Sequence, residues 1–331
     1  MPDKPTQVEI GLRPPPPHPG LGLVRATEAA ALAAGRWMGL GDRNAADHAA
    51  QDAMAEALNL MPMQGSIVSG EELRSGEHSP LDSGAAVGTG KGPKLDVEVN
   101  AIDGAGLVAE GRPGSMSVAA FASPGAMWKP APAVYMEKIV VDRRAAAALG
   151  PEALDAPPGW VLALVARQMG KEIRDLVVFI LDRPRHQPLV HDVRKAGARV
   201  YLRTAGDIGG AIMTADPSGG IDLLLGTGGA SEGLLAACAV KALGGGMLGR
   251  VHTRDAAERK TCLDAGLDLE RVLDCGDMVA GNDVFFTATG ITDTPLLRGV
   301  RYHGDSVDTQ SLVLRMDTGT RRLISTEHRL R

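Results

Sequence analysis

The alternation of apolar strands with helices in the second half of the chain constrains the fold more than any other feature. Beyond residue 160 the pattern predicts strands at 176–181, 199–202 and 221–225, and helices at 161–169, 186–196, 207–214 and 230–243. Strands separated by helices in this way favour a sheet with parallel strands and helices on its faces. After these come a predicted helix at 255–265 and strand-like segments at 283–289, 297–303, 309–316 and 320–326.

The sequence of the first half predicts helices and short strands that do not alternate regularly. Thr27 is a candidate N-cap for an Ala-rich helix that ends near position 39 or 41, and Asn44 is a candidate N-cap for a helix over 45–60. Short strands are predicted at 66–68, 115–122 and 133–142, with a polar, Gly-rich loop at 73–94. This half therefore predicts an α+β arrangement.

The segment GPEALDAPPG at 150–159 is the best candidate boundary, because Gly and Pro cluster there and the pattern changes beyond it. The fold class predicted is a layered α/β arrangement with two halves. They follow a disordered, Pro-rich tail at 1–22 and comprise a mixed α+β half at 23–155 and an α/β half at 156–331.

Composition excludes several classes of function. A chain of 331 residues with 44% hydrophobic residues can bury a large core, and a net charge of −5 argues against a general nucleic-acid-binding role. No apolar run approaches the roughly 20 residues that span a bilayer, and the N-terminus lacks the pattern of a signal peptide. Cys238, Cys262 and Cys275 show neither metal-ligand spacing nor a disulfide framework. We therefore predict a cytoplasmic protein with reduced thiols and with no nucleic-acid or membrane partner.

The stretch LDVEVNAIDGAGL at 95–107 is the first candidate for chemistry. Polar and apolar residues alternate from Asp96 to Asn100, which predicts a half-buried strand, and Gly104 and Gly106 permit a tight turn after it. A strand that ends in acidic and polar side chains can direct oxygen ligands at a metal. An ordinary strand that ends in a solvated turn would have the same pattern.

Further acidic residues lie at the edges of predicted elements. Asp47, placed in the first turn of the predicted helix over 45–60, Glu71, Asp103 and Glu232 are joined by Asn100. Oxygen ligands of this kind suit Mg²⁺ or Mn²⁺. Each acid alone would also suit a helix cap or a surface charge.

Two other segments follow strands and precede helices. Arg183-Pro184-Arg185-His186 places two guanidinium groups where a phosphate would bind, although a solvated basic turn is the alternative. The segment GTGGASEG at 226–233 predicts a Gly-rich turn whose amides could face phosphate or sugar hydroxyls. It matches neither a P-loop nor GxGxxG, and a tight turn without a ligand would look similar.

Taken together, these segments resemble one family. The chain is similar to the class II fructose-1,6-bisphosphatases of the lithium-sensitive phosphatase superfamily from about Val24 to His328. The motifs that carry the resemblance are VRATEAAALAAGRWMGLGDRNAAD, YMEKIVV, VVFILDRPRH, GDIGGAIM, GTGGASEG, DVFFTATGIT and LLRGVRY. The resemblance implies the layered α/β/α/β sandwich of sugar phosphatases and hydrolysis of the 1-phosphate of fructose 1,6-bisphosphate with a divalent metal. Some relatives also act on sedoheptulose 1,7-bisphosphate.

The resemblance also implies a role for individual positions, with metal binding in the 23–155 half and sugar-phosphate binding in the 156–331 half. The implied metal ligands are Asp47, Glu71, Asn100, Asp103 and Glu232, and the implied catalytic residues are Asp47, Glu71 and Asp103. The implied substrate-binding positions are Gly104, Tyr135, Arg183, Pro184, Arg185, Asp207 and Gly229. The cofactor would be Mg²⁺ or Mn²⁺, and the family resemblance suggests a homodimer or homotetramer.

The sequence departs from the family pattern at the predicted metal centre. Asn100 stands where the family has Asp, Ala105 replaces a Thr whose hydroxyl helps to position the attacking water, Leu73 replaces a second acid, and Ala205 replaces the acid two residues before Asp207. Loss of one positioned proton-transfer group costs about 10²–10⁴-fold in rate. Ser115 or Thr227 could supply a compensating hydroxyl.

Three functions follow from this pattern. The first is a metal-dependent sugar-bisphosphatase, slow or altered in substrate. The second is a catalytically silent relative that binds sugar phosphate or assembles with an active paralogue. The third is a phosphatase for another phosphorylated sugar or cyclitol.

Overall fold

The computed structural model describes residues 20–72 and 78–330 of the chain. In chain order the α-helices are α1 (Gly20–Gly35), α2 (Arg43–Asn59), α3 (Ala105–Ala109), α4 (Pro158–Met169), α5 (Gln187–Lys195), α6 (Asp207–Ala215), α7 (Ala230–Ala242), α8 (Ala256–Asp264) and α9 (Cys275–Met278). Short 3₁₀ helices occupy Ala146–Ala148, Pro151–Leu154, Ile173–Asp175 and Pro184–His186. None of the helices in these two described ranges is long and apolar enough to cross a membrane.

The strands form two mixed sheets. They are β1 (Gln64–Ile67), β2 (Ala86–Val87), β3 (Lys94–Asp103), β4 (Met116–Ala122), β5 (Tyr135–Val141), β6 (Val177–Leu181), β7 (Arg199–Arg203), β8 (Leu223–Gly229), β9 (Gly246–His252), β10 (Leu273–Asp274), β11 (Phe285–Gly290), β12 (Arg301–Tyr302), β13 (Ser306–Arg315) and β14 (Thr320–Arg329). The first sheet has the order β12-β13-β11-β4-β3-β1-β2, with β14 paired to β13, and the second has the order β10-β9-β5-β8-β6-β7.

The layered α/β architecture predicted from the sequence is confirmed. Helices α1 and α2 cover the outer face of the first sheet, α6 and α7 pack between the two sheets, and α4 and α5 cover the outer face of the second sheet. The strands and helices predicted between residues 160 and 243 also match, and β6 pairs in parallel with β7 and β8. Beyond them the prediction missed β9, β10 and α9, and the strand predicted at 297–303 is reduced to the two residues of β12. The structure adds one outer helical layer to the four that the resemblance implies.

The two sheets do not correspond to two consecutive parts of the chain. Strand β5 belongs to the second sheet although it precedes residue 155, and β11–β14 return to the first sheet, where β11 pairs with β4. The strand pairing therefore does not follow the predicted division at 155 and 156. That division stays a prediction about domains.

The start of α1 differs from the prediction. Residues 1–19 of the predicted tail lie outside the described residues, but Gly20, Leu21 and Gly22 are helical. A Cβ at Gly20 would lie 2.0 Å from the Phe285 ring, so this glycine lets the helix approach β11 closely. Thr27 is not an N-cap, because its hydroxyl donates to Val24 O inside the helix and lies 2.8 Å from the Thr289 hydroxyl.

The start of α2 is also earlier than predicted. The N-cap is Asp42, whose carboxylate accepts from the Ala45 amide at 2.9 Å, so the predicted cap at Asn44 is wrong. The sequence pattern placed Asp47 in the first turn of α2, and this prediction is wrong, because Asp47 lies beyond that turn. Its carboxylate instead lies 3.7 Å from the Arg43 guanidinium, one turn earlier on the helix.

Two strands are more buried or longer than the sequence predicted. The half-buried prediction for β3 is wrong, because the strand lies inside a sheet with helices on both faces and Val97–Asp103 are all buried. Strand β8 continues through Gly226–Gly229, which pair with β5, so this segment is not the predicted turn. Helix α7 begins directly after it at Ala230.

Candidate active site

A cleft of about 620 Å³ lies where the two sheets and several helix ends meet. The ends of β3, β6 and β8 and the beginnings of β5, α6 and α7 contribute its walls. Every predicted site residue except Pro184 lines this cleft, namely Asp47, Glu71, Asn100, Asp103, Gly104, Tyr135, Arg183, Arg185, Asp207, Gly229 and Glu232. Residues that are up to 185 positions apart in the chain, Asp47 and Glu232, therefore share one cavity.

The acidic wall of the cleft is built on β3. Asn100 and Asp103 are 2% and 5% exposed, and the register of β3 against β4 shifts between them. The Glu71 carboxylate accepts from the Ala101 amide at 2.8 Å, which ties it to the same strand. Glu72 does not join this wall, because its carboxylate accepts from the Ser83 amide at 3.1 Å.

The donor set has the chemistry that a hard divalent cation prefers, since carboxylate and carboxamide oxygens surround one cleft. Within the two described ranges, however, no three His, Cys, Asp or Glu side chains are gathered closely enough to hold one ion. The residues therefore fit a Mg²⁺ or Mn²⁺ site by ligand type, while their assignment as ligands stays a prediction.

Three helices begin at the cleft without a side-chain cap. The N-cap residues of α3, α6 and α7 are Gly104, Gly206 and Gly229, none of which has a side chain to bond the first amides. Gly104 and Gly206 have φ values of 87° and 86°, a backbone conformation that favours glycine. The amides without a side-chain cap and the helix dipoles make this end of the cleft suitable for an anion such as phosphate.

Glycines in β8 make room for two carboxylates. A Cβ at Gly228 would lie 2.2 Å from Asp207 Oδ2, and a Cβ at Gly229 would lie 1.7 Å from Glu232 Oε2. Any other residue at these positions would displace the acid beside it. Gly228 and Gly229 of the GTGG segment therefore contribute to the site by leaving the space that the two carboxylates occupy.

Gly229→Ala should displace Glu232 and lower activity by about 10²-fold, because a misplacement of about 1 Å can cost that much. Folding should be little affected, since φ is −65° at this residue and alanine adopts that value. The measurement is the rate of phosphate release together with the melting temperature. Gly159→Ala in α4 is the matched control, because a Cβ there would meet only Ala196 at 3.9 Å. Equal activity of both variants would contradict the prediction.

The basic wall comes from the turn after β6. Arg185 donates to Thr227 O at 2.7 Å, and its guanidinium lies 5.2 Å from the centre of the Tyr135 ring. Burial lowers the pKa of Arg185 below its usual value. Among the described residues the Arg183 guanidinium makes no hydrogen bond or ion pair, so this cation is available to an anionic ligand. Pro184 lies in the 3₁₀ turn between them and does not reach the cleft.

His186 holds this turn against β8. Its Nε2 accepts from the Thr227 amide at 2.9 Å, so Nδ1 carries the proton and donates to Leu181 O at 2.7 Å. The ring is only 4% exposed, and burial lowers the pKa of His186 below 6.5. A neutral imidazole therefore connects β6 to β8 directly beneath the two arginines.

The titration of His186 predicts a loss of stability in mild acid. Below pH 6.5 the unfolded chain binds a proton at His186 that the folded protein does not yet bind, so folding stability falls as the pH falls. His186→Gln, which keeps a donor and an acceptor without titrating, should lose less stability between about pH 6.5 and 5.5. Urea unfolding at both pH values measures this difference. Parallel losses in the two proteins would contradict the assignment.

Sequence reasoning missed several residues of the cleft. Arg43, Arg112, Thr204 and Ser231 line it, whereas the predicted compensating hydroxyls do not. Ser115 is fully buried and donates to Asp103 O at 2.8 Å. Thr227 lines a separate small cavity, together with Lys138 and His186. The hydroxyl-bearing residues that line the cleft are Tyr135, Thr204 and Ser231. Ser231 directly precedes Glu232 in the GTGGASEG segment, whereas Thr204 carried no signal in the sequence.

A cleft with oxygen ligands on one wall and phosphate-binding groups on the other is typical of enzymes that act on phosphorylated metabolites. Residues 19–328 match the family described as bacterial fructose-1,6-bisphosphatase, glpX-encoded, and the chain belongs to that family.

Individual relatives agree with this assignment. The chain is 37% identical to a D-fructose 1,6-bisphosphatase class 2/sedoheptulose 1,7-bisphosphatase of Synechococcus sp. (strain JA-3-3Ab), with 93% of this chain and 95% of the relative covered. It is also 37% identical to the fructose-1,6-bisphosphatase class 2 of Haemophilus influenzae, with 92% and 94% covered. The resemblance predicted from the motifs is confirmed.

Proposed function

We propose that this protein hydrolyses the 1-phosphate of fructose 1,6-bisphosphate, and that sedoheptulose 1,7-bisphosphate is a second substrate. The observation that carries the proposal is the meeting of the carboxylate wall on β3 with the Arg183–Arg185 turn in one cleft. The names of the relatives from Synechococcus and Haemophilus support the reaction and the sugar. The enzyme is a phosphoric monoester hydrolase of carbohydrate metabolism.

Two groups of residues would bind the substrate. Arg183 and Arg185 would hold the phosphate that is not hydrolysed, because guanidinium groups form paired hydrogen bonds with phosphate oxygens. Tyr135 and Asp207 would contact the sugar, and the backbone at Gly104 and Gly229 would receive phosphate or hydroxyl groups at the starts of α3 and α7. Pro184 would shape the arginine turn without contacting the ligand.

Asp47, Glu71, Asn100, Asp103 and Glu232 would bind the divalent cation, either Mg²⁺ or Mn²⁺. When bound, such an ion polarises a phosphoryl oxygen and lowers the pKa of an attacking water. Asp47, Glu71 and Asp103 are also the proposed catalytic residues, which would orient the water and receive its proton. Asn100 keeps an oxygen ligand but lacks a negative charge, so it should bind a cation more weakly than aspartate would.

A second candidate function is binding without turnover. Ala105 and Ala205 both line the cleft. They lie close together, because a Cβ on Gly104, the residue before Ala105, would lie 3.6 Å from the Ala205 methyl. Where the family resemblance implies a hydroxyl and a carboxylate, this end of the cleft presents methyl groups. A silent relative would use the arginine turn to bind sugar phosphate or would assemble with an active paralogue.

Other features follow from the family and remain part of the proposal. They are assembly as a homodimer or homotetramer, a cytoplasmic location, and a role in gluconeogenesis.

Initial rates of phosphate release from a panel of substrates test the proposal. The panel contains fructose 1,6-bisphosphate, sedoheptulose 1,7-bisphosphate, fructose 6-phosphate and an inositol monophosphate, each with Mg²⁺ or Mn²⁺. We expect the highest kcat/KM for the two bisphosphates. A preference for the inositol monophosphate would contradict the proposal, and tight binding of the bisphosphates without release would favour the silent relative.

A further inference from the structure

Lys138 is a buried lysine beneath the cleft that the proposed reaction does not yet use. Its Nζ lies 2.5 Å from Asp207 Oδ2 and 3.3 Å from Gly229 O. The Lys138 side chain is 3% exposed and that of Asp207 is 10% exposed. The ammonium group therefore contacts two of the positions proposed for sugar binding while it does not line the cleft itself.

The backbone around this ion pair leaves space for both side chains. In the pairing of β5 with β8, Lys138 lies opposite Gly226 and Tyr135 lies opposite Gly229. A Cβ at Gly228 would lie 2.8 Å from Lys138 Nζ as well as 2.2 Å from Asp207 Oδ2. The stem of Lys138 passes below Gly233, where a Cβ would lie 3.6 Å from its Cδ. Two glycines therefore leave the space that the lysine and the aspartate occupy.

The ion pair fixes the orientation of Asp207. A buried ammonium and a buried carboxylate are each costly to leave without a partner, so each holds the other in place. Carboxylate oxygens accept hydrogen bonds, as sugar hydroxyls require. Because Oδ2 is held by Lys138, the carboxylate has one orientation in the cleft wall. The same ammonium donates to the Gly229 carbonyl and thus links α6 to the end of β8.

We propose that Lys138 is a positioning residue for sugar recognition, which holds Asp207 and the Gly229 backbone in the geometry that receives the sugar. The inference rests on the proposed function, because it assumes that Asp207 and Gly229 contact the substrate. It assigns to Lys138 an effect on sugar binding and none on binding of the phosphate that Arg183 and Arg185 would hold. Arg183 and Arg185 are on a different turn, and within residues 20–72 and 78–330 neither forms a hydrogen bond or an ion pair with Lys138.

The test compares two ligands by calorimetry in the presence of EDTA, which prevents turnover. Lys138→Met should weaken binding of fructose 1,6-bisphosphate by roughly 10- to 100-fold, the effect of losing a hydrogen bond to a charged group. Binding of inorganic phosphate should change by less than about 3-fold, the spread expected between independent sites. Lys138→Arg should recover most of the affinity for the bisphosphate. A variant that merely folds poorly would lose both ligands equally.

A double-mutant cycle connects the effect to Asp207. Lys138→Met should add less than about 2-fold to the loss caused by Asp207→Asn, because the two residues act as one unit. Lys171→Met is the matched control, since Lys171 forms a 2.5 Å ion pair with Asp222 outside the cleft. Its affinities should equal those of the unmodified protein.

Two results would overturn the inference. One is unchanged binding of the bisphosphate by Lys138→Met, and the other is multiplication of the two single losses in the double variant. Failure of the proposed function would instead be seen in the unmodified protein. That protein would then bind inorganic phosphate but not fructose 1,6-bisphosphate, and this result would contradict the role assigned to Lys138 as well.

Discussion

Replacing both Arg183 and Arg185 by alanine should lower kcat/KM for fructose 1,6-bisphosphate by about 10²–10⁴-fold. Each guanidinium would lose hydrogen bonds to a charged phosphate, worth roughly 1.5–3 kcal/mol apiece, and each 1.4 kcal/mol corresponds to tenfold. Arg183 is the more informative single variant, because among the described residues its side chain makes no ion pair or hydrogen bond whose loss would disturb the fold. Steady-state phosphate release over a range of substrate concentrations gives this ratio.

The matched control is Arg174→Ala. Arg174 pairs with Glu172 at 2.8 Å on the surface, with 74% of its side chain exposed, and it does not line the cleft. It should leave kcat/KM unchanged. If the arginine turn were only a solvated surface feature, the double variant would behave like this control.

The double reversion Asn100→Asp plus Ala105→Thr should raise the rate by about 10²–10⁴-fold, the usual contribution of a positioned proton-transfer group. Both positions line the cleft, and both are nearly inaccessible, with Asn100 2% and Ala105 4% exposed. Asn100→Asp should also strengthen binding of Mn²⁺, since a full negative charge replaces a carboxamide. The two single variants should each give less than the double, because residues of one site act together.

The burial of position 100 predicts a change in stability that serves as a control for this double reversion. An aspartate at 100 places a charge in a buried site, so Asn100→Asp alone should lower the melting temperature without metal and regain it when Mn²⁺ is added. A rate that stays unchanged in the double variant, with normal folding, would show that these two departures are not what limits turnover.

Local sequence patterns predicted the elements between residues 160 and 243 well because each element there is short, regular and bounded by turn residues. Strand β6 and helix α5 match their predicted bounds to within one residue, and α4 ends at the predicted residue but begins three residues earlier. The local patterns also indicated Asp47, Glu71, Asp103, Glu232 and the Arg183–Arg185 turn as candidate ligands, because each lies at the edge of a predicted element. The family resemblance added Tyr135 and Asp207 and implied that these positions form one site.

Other features depended on contacts that a local pattern does not contain. The alternation in β3 predicted one solvated face, but tertiary packing covers both faces of that strand with helices. Pairing of β11 with β4 joins segments more than 160 residues apart, so membership of the first sheet was not visible. Lys138 carried one signal, a charged residue in the apolar strand YMEKIVV, which indicates a buried ionic partner but not which one.

The central claim is that the carboxylates of this cleft still support phosphate transfer to water despite Asn100 and Ala105. The most direct measurement is phosphate release from fructose 1,6-bisphosphate with Mn²⁺ or Mg²⁺, for the unmodified protein beside Glu71→Gln. Glutamine keeps the acceptor for the Ala101 amide, so the variant should fold normally while losing a negative charge from the cleft. We predict metal-dependent release by the unmodified protein that falls by at least about 10²-fold in Glu71→Gln. No release with either metal, or equal release by the two proteins, would contradict the claim.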